Sequence, residues 1–178
     1  MAVRPVLKMG HPLLQQVAGV GVTHAFNAEH QLALRLGSTW DKSDDYLDDA
    51  FQGDFNTRRD SVSAQWDVQL AKGQMLTLGT DYLNDVVSGS TDFDVDARHN
   101  KALFAQYLGD HGPWRTELSL RGDDNEQFGR HGTVSAALGY AVSDALQFVA
   151  QHGSAFKAPS FNELYYPGFS NPLLAPER

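Results

Sequence analysis

Cysteine is absent from the 178 residues, which excludes disulfides, thiolate metal sites and a cysteine nucleophile. No run of about eighteen apolar residues occurs, so a membrane-spanning helix is excluded as well. Basic residues are scarce: 14 Lys and Arg stand against 22 Asp and Glu, a formal net charge of −8. That balance argues against nucleic acid as a partner, because phosphate binding needs clustered cations. An N-terminal secretory signal is also missing. Met1 to Ala18 carries Arg4 and Lys8, but Pro5, Gly10 and Pro12 break any apolar core, so export of the chain as it stands is not expected. There is no G-x-S-x-G elbow and no phosphate-cradling glycine loop, so no catalytic residue and no cofactor are assigned. The histidines (His11, His24, His30, His99, His111, His131 and His152) are scattered without helical or hairpin pairing, so no metal ligand is assigned either.

What is present is alternation. From Ser61 to Leu70, Val62, Ala64, Trp66, Val68 and Leu70 are apolar while Ser63, Gln65, Asp67 and Gln69 are polar, a period of two without a miss. The pattern returns with Leu32, Leu34, Leu36 and Trp40 against Arg35 and Gly37, and with Leu76, Leu78 and Tyr82 against Thr77 and Asp81. It appears again with Trp114, Leu118 and Leu120 against Arg115, Glu117, Ser119 and Arg121, and with Val134, Ala136, Leu138 and Tyr140 against Thr133, Ser135 and Gly139. Each such segment is a strand with one oily face. Two further stretches, Ala102 to Leu108 and Ala145 to Phe156, are apolar on both phases, which leaves their facing open, and Gly19 to Phe26 reads as a weak strand.

The connections alternate short and long. Turn-forming residues fall at Asn27-Ala28-Glu29, Lys72-Gly73-Gln74, Asp110-His111-Gly112-Pro113 and Ser143-Asp144. Long polar connections are expected at about Lys42 to Thr57, Val87 to His99, Gly122 to Arg130 and from Lys157 onward. Consecutive antiparallel strands joined this way put the short turns on one rim and the long loops on the other, as in bacterial membrane barrels. A soluble β-sandwich or lipocalin-like barrel also alternates, with the oily face inside. Trp40, Tyr82, Trp114 and Tyr140 favour the membrane: they stand at strand ends on the oily phase, where an interfacial aromatic girdle would place them. The expected fold is therefore all-β, an antiparallel up-and-down transmembrane β-barrel segment of about eight strands.

Two blocks carry a family resemblance. The first is Asp123-Asp124-Asn125-Glu126-Gln127-Phe128-Gly129-Arg130-His131-Gly132-Thr133. The second runs Gly153-Ser154-Ala155-Phe156-Lys157-Ala158-Pro159, then Leu164-Tyr165, then Asn171-Pro172-Leu173-Leu174-Ala175-Pro176-Glu177. In this order and spacing they resemble the barrel of TonB-dependent outer-membrane receptors of the cobalamin-transporter type, from about Gly19 to Arg178. The resemblance implies an outer-membrane importer that binds cobalamin or a similar large metal chelate. It also implies a barrel of about twenty-two strands in outer-membrane lipid, energised by TonB through a plug domain. The plug and the first and last barrel strands have no counterpart here, so a partial copy, not transport-competent alone, is expected. A self-contained eight-stranded outer-membrane structural or adhesion barrel, or a soluble β-sheet binding protein, is the alternative.

The first eighteen residues are expected to be a separate segment, with a junction near Val17 to Val20 and the barrel from 19 to 178. Met1-Ala2-Val3-Arg4-Pro5-Val6-Leu7-Lys8-Met9-Gly10-His11-Pro12-Leu13-Leu14 resembles the start of a peptide deformylase, but with no Cys and no H-E-x-x-H helix the chain cannot hold that enzyme's metal. The acidic run Asp41, Asp44, Asp45, Asp48, Asp49 and Asp54 offers oxygen ligands of the kind calcium takes, but a solvated surface loop is the favoured account of it. As substrate-binding candidates the last long loop supplies Tyr165, Tyr166, Phe169 and Asn171: flat rings with a polar edge suit a large planar solute, and packing of the loop onto the rim is the competing role.

Overall fold

The computed structural model describes residues 9–10, 12–166 and 170–177. The chain forms one antiparallel sheet of β1 (Met9–Gly10), β2 (Leu13–Ala25), β3 (His30–Leu47), β4 (Ala50–Ala71), β5 (Gln74–Gly89), β6 (Ala97–His111), β7 (Trp114–Asn125), β8 (Gly129–Ser143) and β9 (Leu146–Gly153), followed by a short helix α1 (Phe161–Tyr165). From β3 to β9 each strand pairs with the next in sequence. β1 and β2 both pair with β3 in one unbroken register, Met9 opposite Leu47 and Leu13 opposite Ser43. They are one strand interrupted at Pro12, whose missing N–H cannot join the ladder but whose carbonyl accepts from the Asp44 N–H at 3.3 Å. The pairing therefore runs without a shift from Leu13 through the Val17–Val20 stretch to Ala25. The sheet stays open, because no pairing joins β9 to β1 or β2 among the described residues.

Register decides which side chains share a face. Leu36, Val62 and Tyr82 lie in one cross-strand row, and Leu32, Trp66, Leu78, Ala105, Leu120 and Val134 in another, so the oily phases of the alternating strands coincide. On β6 the sequence left the facing open; the ladder puts Leu103, Ala105 and Tyr107 on the oily face and Ala102, Phe104 and Gln106 on the polar one. The oily side chains do not gather into a core. Leu36 is 53% exposed and Trp66 44%, while among the described residues the buried apolar ones are only Ala33, Val87, Ala102, Phe161 and Leu164, all away from that face. On β4 the oily run from Val62 to Leu70 spans about 27 Å along the strand, or roughly 20 Å along the membrane normal at the usual tilt, close to the apolar band of a membrane barrel.

Aromatic residues bound the band. At the short-turn rim Trp114 and Tyr140 face each other across β7 and β8 with ring centroids 4.5 Å apart. Toward the other rim Tyr82 stacks on His99 at 6.1 Å, and the Arg58 guanidinium lies 5.7 Å from the Trp40 ring. The four short connections all fall on one rim, as expected. The opposite connections differ from expectation. The stretches at 42–57 and 122–130 are mostly strand, not loop, so β3 and β4 rise well past the band as a hairpin. Asp48 and Asp49, at φ 49° and 64°, make its two-residue turn in the left-handed region that type I′ hairpins need. Polar composition there suits an extended hairpin as well as a loop. Likewise β9 ends at Gly153, short of Phe156.

Candidate functional site: the polar face and the returning segment

The polar phase of the sheet carries linked charges. The Arg121 guanidinium donates from Nη1 to Asp81 Oδ2 at 2.7 Å, two strands away, and from Nε to its own strand's Asp123 at 3.0 Å. Arg59 clasps Asp85 with both prongs, at 2.6 and 2.9 Å. The planar fork suits such two-point contacts. The Phe104 ring covers Gly79 so closely that a Cβ there would collide with it, and the ring's centroid lies 6.0 Å from the Arg121 guanidinium.

After β9 the chain folds back over this face, and the two family-like blocks meet there. The Asp123-to-Thr133 block forms a compact hairpin end. Asn125 Oδ1 accepts from the N–H of Gln127 at 3.2 Å and of Phe128 at 3.1 Å, and Gly129 closes the turn at φ 75°. Glu126 accepts from the His99 backbone N–H at 3.0 Å, tying the turn to β6. From the second block, Ser154 continues the ladder by donating its N–H to the Val134 carbonyl at 2.9 Å and accepting the Val134 N–H on its Oγ at 3.1 Å. Phe156 then stacks flat on His131, centroids 3.9 Å apart and planes 11° from parallel.

Arg98 is the centre of the contact. It is 9% exposed, and its Nη1 donates to the Pro159 carbonyl at 2.9 Å and to Gln127 Oε1 at 3.3 Å. The rings of Phe161 and Phe128 flank the guanidinium at 5.0 and 5.8 Å. Ser160 caps α1: its Oγ accepts the Glu163 N–H, while the Glu163 carboxylate accepts the Ser160 N–H at 2.7 Å and its hydroxyl at 2.8 Å. These two bonds hold the Glu163 carboxyl below its usual range. Leu164, 1% exposed, buries the helix's apolar side. Lys157 and Glu177 pair backbone to backbone at 3.2 and 3.0 Å, closing the segment on itself.

Of the substrate-binding candidates, the Tyr165 hydroxyl meets the Gln127 side-chain amide and is half-buried. Asn171 donates its N–H to the Glu163 carbonyl at 2.8 Å and accepts the Leu173 N–H on Oδ1 at 3.0 Å. Tyr166 is 40% exposed. Phe169 lies outside the described residues. Tyr165 and Asn171 thus hold the segment's shape, and Tyr166 stays exposed. Sequence reasoning missed Arg98, Phe156 and His131 as organisers. Between segment and sheet remains a cavity of about 490 Å³, lined among others by Arg59, Arg98, Arg121, Asp123, Phe156 and Lys157.

Comparison with known proteins agrees with this architecture. Residues 11–178 match the family described as TonB dependent receptor-like, beta-barrel. The chain is 33% identical over 160 residues to the vitamin B12 transporter BtuB of Photobacterium profundum, covering 82% of this chain and 26% of that protein. To the protein of the same name from Vibrio vulnificus it is 37% identical over 106 residues, covering 57% and 17%. Among solved structures, a mutant (G324V) of the ferric enterobactin receptor PfeA from Pseudomonas aeruginosa superposes with a TM-score of 0.75 at 14% identity, over 86% of this chain and 27% of that one. The ferric citrate transporter FecA gives 0.63 at 14% identity over 80% and 27%. These likenesses to solved structures concern the fold. The chain spans about a quarter of the length of the curated relatives it matches. With the family match covering nearly all of it, the chain belongs to the TonB-dependent receptor β-barrel family.

Proposed function

We propose that this chain is a wall segment of an outer-membrane receptor for cobalamin or a similar large metal chelate, not competent for transport by itself. The observation that carries the reading is the shared register: five strands put their oily side chains on one face, and the family-like blocks fold together over the other. The B12 transporters among its relatives supply the ligand class. In this reading the oily face meets outer-membrane lipid and the polar face lines the bore. The returning segment lies at the outer mouth, with Tyr166 available to a planar solute and Tyr165 and Asn171 positioning it. Phe169 is proposed as a second ring of the same surface. Energy would reach the solute through TonB and a plug domain, as the family resemblance implies, and the chain has no catalytic part in uptake.

A chimera tests this. The segment replaces its matching quarter in a B12 transporter, and cobalamin uptake is measured in cells lacking their own receptor. Uptake is expected, and a several-fold weaker uptake is expected for Tyr166→Ala. A chimera that assembles in the outer membrane as a heat-modifiable barrel yet takes up no cobalamin contradicts the ligand assignment.

A further inference from the structure

One row across three strands carries two cations and one acid. Arg59 on β4, Asp85 on β5 and Arg98 on β6 are direct cross-strand neighbours on the polar face. Asp85 does not serve both cations, because its two oxygens are taken by Arg59 at 2.6 and 2.9 Å. Arg98, 9% exposed, has only neutral acceptors, the Pro159 carbonyl and the Gln127 side chain, and it reaches both from Nη1. Its Nε and Nη2 donate to nothing among the described residues. They are not sealed off either: His30 Nδ1 is the one side-chain nitrogen or oxygen among those residues that is both fully buried and unpartnered. The free donors of Arg98 therefore face the space between sheet and returning segment, where Arg98 lines the cavity of about 490 Å³. Lys157 lines the same cavity from the segment, and its ammonium pairs loosely with Glu177 at 3.5 Å, both side chains being mostly exposed. Arg121, also in the wall, is matched twice, by Asp81 and Asp123. The cavity thus has a surplus of positive charge centred on Arg98 and Lys157. A buried cation without a counter-charge is costly, and an anion that reaches it is held more strongly than in water.

We propose that Arg98 and Lys157 form an oxyanion subsite for a phosphate ester group of the solute. Arg98 Nε and Nη2 donate from the sheet and Lys157 Nζ from the returning segment. Guanidinium makes a two-point contact with phosphate, and a tetrahedral group still offers an oxygen to the second wall, whereas a planar carboxylate uses both oxygens on the first. The volume lies within the range of about 300–1,000 Å³ of small-molecule pockets, so part of what the phosphate is esterified to enters with it. The phosphodiester of cobalamin is one such group. The subsite rests on the reading above only in placing the polar face toward the solute's path. Because both walls are needed, bound phosphate holds the segment closed.

The test uses the chimera with a B12 transporter, purified as a heat-modifiable barrel in detergent, and inorganic phosphate as the probe. Hydrogen exchange at the amides from Phe161 to Tyr166 is followed with added phosphate, acetate or chloride at matched pH and ionic strength. Phosphate at about 20 mM should slow exchange at least threefold, the slowing that a dissociation constant of about 10 mM gives. Acetate and chloride should leave the rate unchanged. Lys157→Gln keeps the backbone pairing with Glu177, so it should retain the phosphate-free rate and lose the phosphate effect. Arg59→Gln should lose the effect too, because Asp85 is then released to neutralise Arg98. No slowing by phosphate, equal slowing by acetate, or an undiminished effect in Lys157→Gln overturns the proposal. Cobalamin retention is measured on the same sample, and phosphate protection without cobalamin binding supports the subsite while contradicting the ligand assignment alone.

Discussion

Arg98 concentrates the contacts that hold the returning segment to the sheet. Its guanidinium binds the Pro159 carbonyl and Gln127 and lies between two phenylalanine rings. Arg98→Ala leaves the carbonyl unpaired and the rings apart, a loss of about 2 kcal/mol of local stability, or roughly thirtyfold in segment opening. Hydrogen exchange at the amides from Phe161 to Tyr166 should quicken by that order, and unchanged exchange would contradict the assigned role. Glu163 adds a pH dependence. Its folded carboxyl titrates below the ordinary value because it accepts from Ser160, so the capping contribution is complete above that ordinary value, around pH 4.3, and is lost as pH falls through the lower folded value. Amides of the helix should therefore exchange faster, relative to the intrinsic rate, on acidification below about pH 4.3, and the Glu163→Gln variant should lack this step. Little of this centre was legible in the sequence. Arg98 stands in a stretch without clear alternation, and its partner is a backbone carbonyl 61 residues away, which no side-chain pattern encodes.

At the scale of strands and turns the sequence was informative where one face is apolar. Val62 to Leu70 alternates without a miss, and the structure places it in a strand with that facing. Beyond the apolar band the constraint disappears. The hairpin end from Lys42 to Thr57 carries polar side chains on both phases, so Asp44, Asp45 and Asp54 occupy strand positions that composition alone assigns to a loop. Its turn offers a direct check. Asp49, at φ 64°, holds a conformation that glycine adopts without strain. Asp49→Gly should therefore stabilise the hairpin by about 0.5–1 kcal/mol. Backbone chemical shifts and exchange protection of the β3 and β4 ends would register it, and a loss of protection would contradict the turn geometry.

For the molecule as a whole, two sheet edges decide behaviour. The outer edges of β2 and β9 present backbone N–H and C=O groups that lipid cannot satisfy. Refolded alone in micelles, the chain is expected to gain β-sheet circular dichroism but to run as concentration-dependent larger species, with no sharp heat-modifiable monomer band. A sharp monomer band would mean that the eight long strands close on themselves. The family was legible from the two motif blocks because they pack on one another around Arg98, so both are held by one set of contacts. The central claim, that the oily face meets lipid, can be read from the intrinsic fluorescence, since Trp40, Trp66 and Trp114 are all the tryptophans and all lie on that face. In vesicles containing brominated acyl chains the account predicts strong quenching of this emission and little quenching by aqueous iodide. Emission untouched by the brominated lipid would place the tryptophans in a dry protein interior or in water, and would contradict the account.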